Sequence, residues 1–262
     1  MFANSVQPGV ACLFSSTGSA PLYLFSSVCD GSLPSDSFIH LLNDRSSQPP
    51  LPESCVLVQS FNPGDDNEEG YHLNQTVLHI QAPNLTKTFI QCPRLDNVSK
   101  ELSLKHPWLH LQVKNLGKLW SFEIGIADQN GRRGVLRMST FQKEPHLKIS
   151  DTSSSDSLPL LHLPLSFPPP SSRPLTAWST INLHLPTFLP HFSSVALSGR
   201  MDNDDDDMND ISNTARARLP SGSYSHITYV RVYATCRLRR IWLSEGGPGQ
   251  KQPWEFELYG DE

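Results

Sequence analysis

The sequence predicts a single all-β domain, a jelly-roll-like β-sandwich interrupted by long disordered loops. Three observations lead there: short runs in which apolar and polar residues alternate, turn residues between those runs, and no sustained helical periodicity. About nine to eleven such runs favour a sandwich over a smaller β-fold. With 262 residues, 37% of them hydrophobic, the chain can bury one large core. Its 22 prolines and 15 glycines require that a sizeable part be loop.

In chain order the expected strands begin with LYLF (Leu22 to Phe25), TVLHIQ (Thr76 to Gln81), KTFIQC (Lys87 to Cys92) and WLHLQV (Trp108 to Val113). LWSFEIGI follows and sets Trp120, Phe122, Ile124 and Ile126 on one side. Asn130-Gly131 then predicts a hairpin into RRGVLRMSTF (Arg132 to Phe141), since both residues tolerate positive φ. LLHLPL (Leu160 to Leu165), STINLHL (Ser179 to Leu185), VRVYATCRLRRIWL (Val230 to Leu243) and WEFELY (Trp254 to Tyr259) complete the set.

The run from Val230 is the most informative. Val230, Val232, Ala234, Cys236 and Leu238 share one face, and Arg231, Tyr233, Thr235, Arg237 and Arg239 share the other. After Arg239-Arg240 the apolar parity switches to Ile241 and Leu243, which predicts a β-bulge at that point. Four arginines and no acid on a strand leave open, besides an outer face that is merely solvated, two further readings. They stand outward for an acidic partner, or they pair internally, Arg237 with Glu255 or Glu257.

Three segments read as disordered insertions: 26–71, 150–173 and 193–223, rich in Ser, Pro and Asp. The net charge of −5 is concentrated in the acidic ones. Residues 26–75 contribute −7 and residues 193–222 contribute −3, so the remainder carries +5. A basic folded part suits an acidic partner.

Most catalytic classes lack their residues. There is no glycine-rich phosphate loop and no G-x-S-x-G elbow. Asp202, Asp204 and Asp206 begin like a calcium loop, but Asp207 and Asn213 stand where glycine and glutamate are required. His106 and His110 have zinc-helix spacing with Pro107 between them, in a strand context. The 5 cysteines form no C-x-x-C pair, which suggests reduced thiols of cytosol or nucleus rather than a disulfide framework or a zinc site. The start has no basic leader, no run reaches membrane-spanning length, and no cofactor motif is found. The expectation is a non-enzymatic protein without metal or cofactor. Trp108, Trp120, Trp178, Trp242 and Trp254 leave a glycan-binding platform as an alternative, against a role in the core.

MFANSVQPG with STGSAPLYLF, TKTFIQCP, KHPWLHLQVKNLGKLWSFEIGIAD, GRRGVLRMSTFQ, VRVYATCRLRRIW and WEFELY, in that order, resemble the family of cilia- and flagella-associated protein 20. Ala177-Trp178-Ser179 and Tyr233-Ala234-Thr235-Cys236-Arg237 depart from the family pattern. The resemblance implies a jelly roll similar to carbohydrate-binding modules and a structural role at the inner junction of axonemal doublet microtubules. It implies contact with tubulin and a parkin co-regulated protein, in cytoplasm, cytoskeleton and cilium. A nuclear adaptor role near RNA polymerase II or nucleic acid is the alternative that it carries. The basic residues expected to bind the partner are Lys114, Lys118, Arg132, Arg133, Arg137, Arg231, Arg237, Arg239 and Arg240.

Overall fold

The computed structural model describes residues 1–50, 75–96, 101–149, 158–167, 178–194, 197 and 219–258. They form two facing sheets. The strands are β1 (Val10–Ser15), β2 (Ser26–Val28), β3 (Phe38–Asn43), β4 (Thr76–Gln81), β5 (Phe89–Cys92), β6 (Trp108–Asn115) and β7 (Ser121–Asp128). After these come β8 (Arg133–Ser139), β9 (His146–Lys148), β10 (Leu160–Pro164), β11 (Trp178–His184), β12 (Tyr224–Tyr233) and β13 (Cys236–Ser244). Sheet A runs β11-β6-β13-β4-β3, with β1 also paired to β13, and sheet B runs β2-β5-β12-β7-β8-β10-β9. All pairings are antiparallel except β8 with β10.

The core lies between the sheets. Phe122, Ile124 and Ile126 of β7 and Val230 and Val232 of β12 pack in one cluster with Leu109, Leu111 and Val113 of β6 and Leu238, Ile241 and Leu243 of β13. The expected inward residues, including Trp120, Ala234 and Cys236, are 0% exposed. Burial pushes the Cys236 and Cys92 thiols up to about 12, so both stay protonated.

VRVYATCRLRRIWL is two strands rather than one. β12 closes in sheet B at Tyr233, and β13 opens in sheet A at Cys236. A segment that turns a corner between facing sheets keeps the same side toward their common core, so its alternation runs on unbroken. The bulge is where the parity change puts it, because the β13–β6 register shifts between Leu238 and Arg240. The Asn130-Gly131 hairpin also forms, with Gly131 at φ +76°. The Asp128 carboxylate accepts from the Asn130 and Arg132 amides inside the turn and from the Ser221 and Gly222 amides outside it.

Other expectations are corrected. LYLF is turn rather than strand, and its Phe25 packs edge-on against Phe14 with ring centroids 5.9 Å apart. Four residues with a proline before them are too few to hold a register without a partner strand. WEFELY holds a 3₁₀ turn at Trp254–Phe256, followed by Glu257 and Leu258. The acidic segment 26–71 is not all loop. β2 pairs with β5 and β3 with β4, and Asp44 at the end of β3 is fully buried by cationic partners. The segment 150–173 likewise contains β10, whose Leu161 is buried. Residues 51–74, 97–100, 150–157, 168–177, 195–196, 198–218 and 259–262 lie outside the described residues.

Candidate functional site

The expected basic residues fall in four places. Lys114, Arg237, Arg239 and Arg240 lie on the outer side of sheet A, yet they are only 5%, 9%, 4% and 6% exposed. They are not the solvent-facing patch that alternation suggests. Arg237 Nη1 donates to Asp44 Oδ1 at 2.6 Å and to the Asp44 carbonyl at 2.7 Å, and Lys114 Nζ reaches the same carboxylate at 3.2 Å. Trp178 Nε1 donates to Asp44 Oδ2 at 2.8 Å. The internal-pairing reading therefore holds for Arg237, but with Asp44 in place of Glu255 or Glu257. Arg239 donates to Gln75, Gln112 and the Glu255 carbonyl, and the Arg240 guanidinium lies 4.3 Å from the Phe256 ring centroid.

The same outer layer of sheet A takes up Trp178 and Trp242, whereas Trp120 belongs to the core between the sheets. His110 stacks on Trp242 at 4.8 Å, donates from Nδ1 to Asn182 and accepts at Nε2 from Ser244. Trp120 and Trp242 are 0% exposed and Trp178 is 3% exposed, while Trp254 is open to solvent. Among the described residues no row of exposed, coplanar rings forms a glycan platform.

Burial lowers the proton affinity of His110 and His79 below the ordinary histidine value, and His162 is lowered by burial and by Arg137. The unfolded chain thus takes up more protons than the folded one below about pH 6.5. The stability that these rings contribute as neutral groups is complete above that pH and is lost as pH falls toward their folded values. Urea midpoints should therefore drop between pH 7 and pH 5, with a shallower slope in His110→Gln. A flat profile over that range would contradict the neutral, buried assignment.

Lys118 is exposed in the turn between β6 and β7, and Arg132 and Arg133 sit at the opposite end of β7. Arg132 donates to Ser221 at 2.8 Å, and Arg133 pairs with Glu101 at 2.5 Å. Arg132 and Arg133 stand at the start of β8 in sheet B, whereas Arg237, Arg239 and Arg240 belong to sheet A.

Arg137 and Arg231 are brought together, on the outer face of sheet B. Register carries one polar row across all seven strands: Ser26, Gln91, Arg231, Glu123, Arg137, His162 and His146. Period-2 pleating puts each of these on the side opposite the core residues flanking it. Glu123, with its side chain 4% exposed, is the anchor. Arg137 Nε donates to its Oε1 at 2.8 Å, while Arg231 Nη1 and Tyr229 Oη approach Oε2 at 3.5 Å and 3.2 Å. One carboxylate between two guanidiniums leaves the row net positive.

Aromatic rings enclose Arg231, whose guanidinium lies 4.7, 5.5 and 5.7 Å from the centroids of Phe89, Tyr229 and Tyr233. Burial works against its charge, but the Tyr233 hydroxyl and Glu123 outweigh that and raise its proton affinity. Glycine at position 125 is what lets the Tyr229 ring lie across β7. A Cβ there would stand 2.1 Å from Thr228 Oγ1 and 2.4 Å from the Tyr229 ring. At the β9 edge, His146 and Lys148 are exposed beside this row. At the β2 edge the Leu95 amide donates to Ser26 Oγ, and its side chain is open to solvent. A sheet face of partly exposed arginines and Tyr229, internally braced and with Lys148 at one edge, has the composition of a protein-docking surface. Sequence reasoning found Arg137 and Arg231 but missed Glu123, Tyr229, His146, His162 and Lys148. Only cross-strand register shows that these residues are neighbours.

A CFA20-domain family model matches residues 67–192. The match takes in β4 to β11, including Glu123 and Arg137, and stops before β12. The chain is similar to cilia- and flagella-associated protein 20 of Chlamydomonas reinhardtii, 25% identical over 260 residues, covering 99% of this chain and 97% of that protein. The proteins of the same name in Caenorhabditis briggsae and Caenorhabditis elegans are each 22% identical over 260 residues, covering 99% of this chain and 91% of theirs.

Proposed function

From a chain that is a divergent relative of the cilia- and flagella-associated protein 20 family, we propose a non-catalytic structural protein of the ciliary or flagellar axoneme. It docks on doublet microtubules through the outer face of sheet B. The observation that carries the docking reading is the row from Gln91 to His146, in which paired arginines and tyrosines are fixed in advance on a rigid sheet. Preorganised side chains lose little entropy on binding, which suits a permanent lattice contact. Tubulin is acidic, and a net positive face with Lys148 at its edge complements it. The family resemblance supports the inner junction between A and B tubules as the proposed place within the doublet, with a parkin co-regulated protein as the proposed neighbour.

Arg137 and Arg231 hold the buried Glu123 and are poor test positions, since their loss strands a charge. The exposed edge residues avoid that. His146→Glu with Lys148→Glu should leave the melting temperature nearly unchanged and weaken co-sedimentation with isolated axonemal doublets severalfold. Raising salt should mimic it. Equal sedimentation of variant and wild type would remove sheet B as the docking face.

A further inference from the structure

The chain's C-terminal segment lies over the outer side of sheet A as a strap, and what it covers is not fully satisfied by it. Phe256 inserts its ring between Arg240, at 4.3 Å, and Trp242, at 5.1 Å edge-on. Arg239 donates to the Glu255 carbonyl at 2.9 Å, and the Gln112 amide donates to the Phe256 carbonyl. Leu258 packs on Leu42, Val77 and Trp178. The strap is thus held through one ring, one aliphatic side chain and two main-chain carbonyls, which is how an extended peptide is read with little dependence on its other side chains.

Its carboxylates reach the arginines beneath only at a distance. Glu255 and Glu257 are exposed, and among the described residues neither is in hydrogen-bonded contact with the arginines beneath, although the Glu255 charge is near enough to favour the charged form of Arg240. Among the described residues Arg239 has only neutral hydrogen-bond partners, Gln75, Gln112 and a carbonyl. Arg240 Nε is buried without a hydrogen-bond partner. Two adjacent guanidiniums, each more than nine-tenths buried and, among the described residues, without a carboxylate in contact, are costly unless an anion reaches them. Burial together with the neighbouring Arg240 accordingly pushes Arg239 down to about 10.

We propose that this surface is a recognition groove for an extended acidic peptide of a partner protein carrying an aromatic residue, and that the strap Trp254–Leu258 fills it in the free chain. The partner's ring takes the Phe256 position and its carboxylate meets Arg239 and Arg240. The groove is separate from the sheet B face and does not rest on the axonemal reading.

The probe is a fluorescein-labelled peptide of sequence QPWEFEL, with QPWQFQL as its neutral counterpart, against the full chain and its Phe256→Ala variant. A site that is open more often binds more tightly in proportion, so Phe256→Ala should take up QPWEFEL about tenfold more tightly than wild type. QPWQFQL should bind more weakly, and adding Arg240→Gln should abolish the gain. On wild type, excess QPWEFEL should speed hydrogen exchange at the Phe256 and Glu257 amides, which decides the matter even if the variant does not fold. Unchanged exchange at those amides, equal binding of the two peptides, or a strap exchanged between two copies of the chain would overturn the proposal.

Discussion

Asp44→Ala is expected to cost about 3–5 kcal/mol of folding stability, a large share of the roughly 5–15 kcal/mol that holds a domain together. The Asp44 carboxylate is 0% exposed and receives Arg237 at 2.6 Å, Lys114 at 3.2 Å and Trp178 at 2.8 Å. Alanine removes the carboxylate that the two buried cations share, and it also frees β3 from the layer that it closes. Urea denaturation followed by tryptophan fluorescence measures the effect. Arg237→Met should cost less, because Lys114 still neutralises the carboxylate and methionine fills much of the same volume. If Asp44→Ala lay within about 1 kcal/mol of wild type, the buried cluster would be incidental to the fold.

Ile124→Asp is expected to abolish cooperative folding. Ile124 is 0% exposed, in the middle of β7, and packs in the cluster that joins the two sheets. An unpaired carboxylate there costs more than the domain's entire stability, whereas a solvated one costs almost nothing. Leu119→Asp, at a position 54% exposed in the turn before β7, is the control and should melt like wild type. A cooperative transition in Ile124→Asp would mean that the alternation in LWSFEIGI does not define the core.

Much of the fold was legible because a sandwich writes itself as period-2 alternation. Trp120 to Ile126 and Val230 to Leu238 could be assigned an inner face, and the bulge at Arg239 showed as a change of parity. The same rule misled about the outer face. It separates the two sides of a strand but does not say whether the second side meets water, and on sheet A that side meets Asp44, Gln112 and the Phe256 strap. Nor does it show a corner, so β12 and β13 read as one strand. β2 and β3 were hidden by acidic flanks: Asp44 counts as a loop residue until its cations, 70 and 193 positions away in sequence, are known. The sheet B row was illegible for a related reason. Its members come from seven strands spread between Ser26 and Arg231, and only register makes them adjacent.

The most direct measurement of sheet B as the docking face is zero-length carbodiimide cross-linking of the intact chain bound to axonemal doublets, read by mass spectrometry. Lys148, exposed on β9 at the edge of the Arg231–Glu123–Arg137 row, should join to tubulin carboxylates, and the links should fade when salt releases the chain. Links confined to Lys105, Lys118 or Lys251, which are exposed elsewhere on the domain, with none at Lys148, would contradict docking through that face.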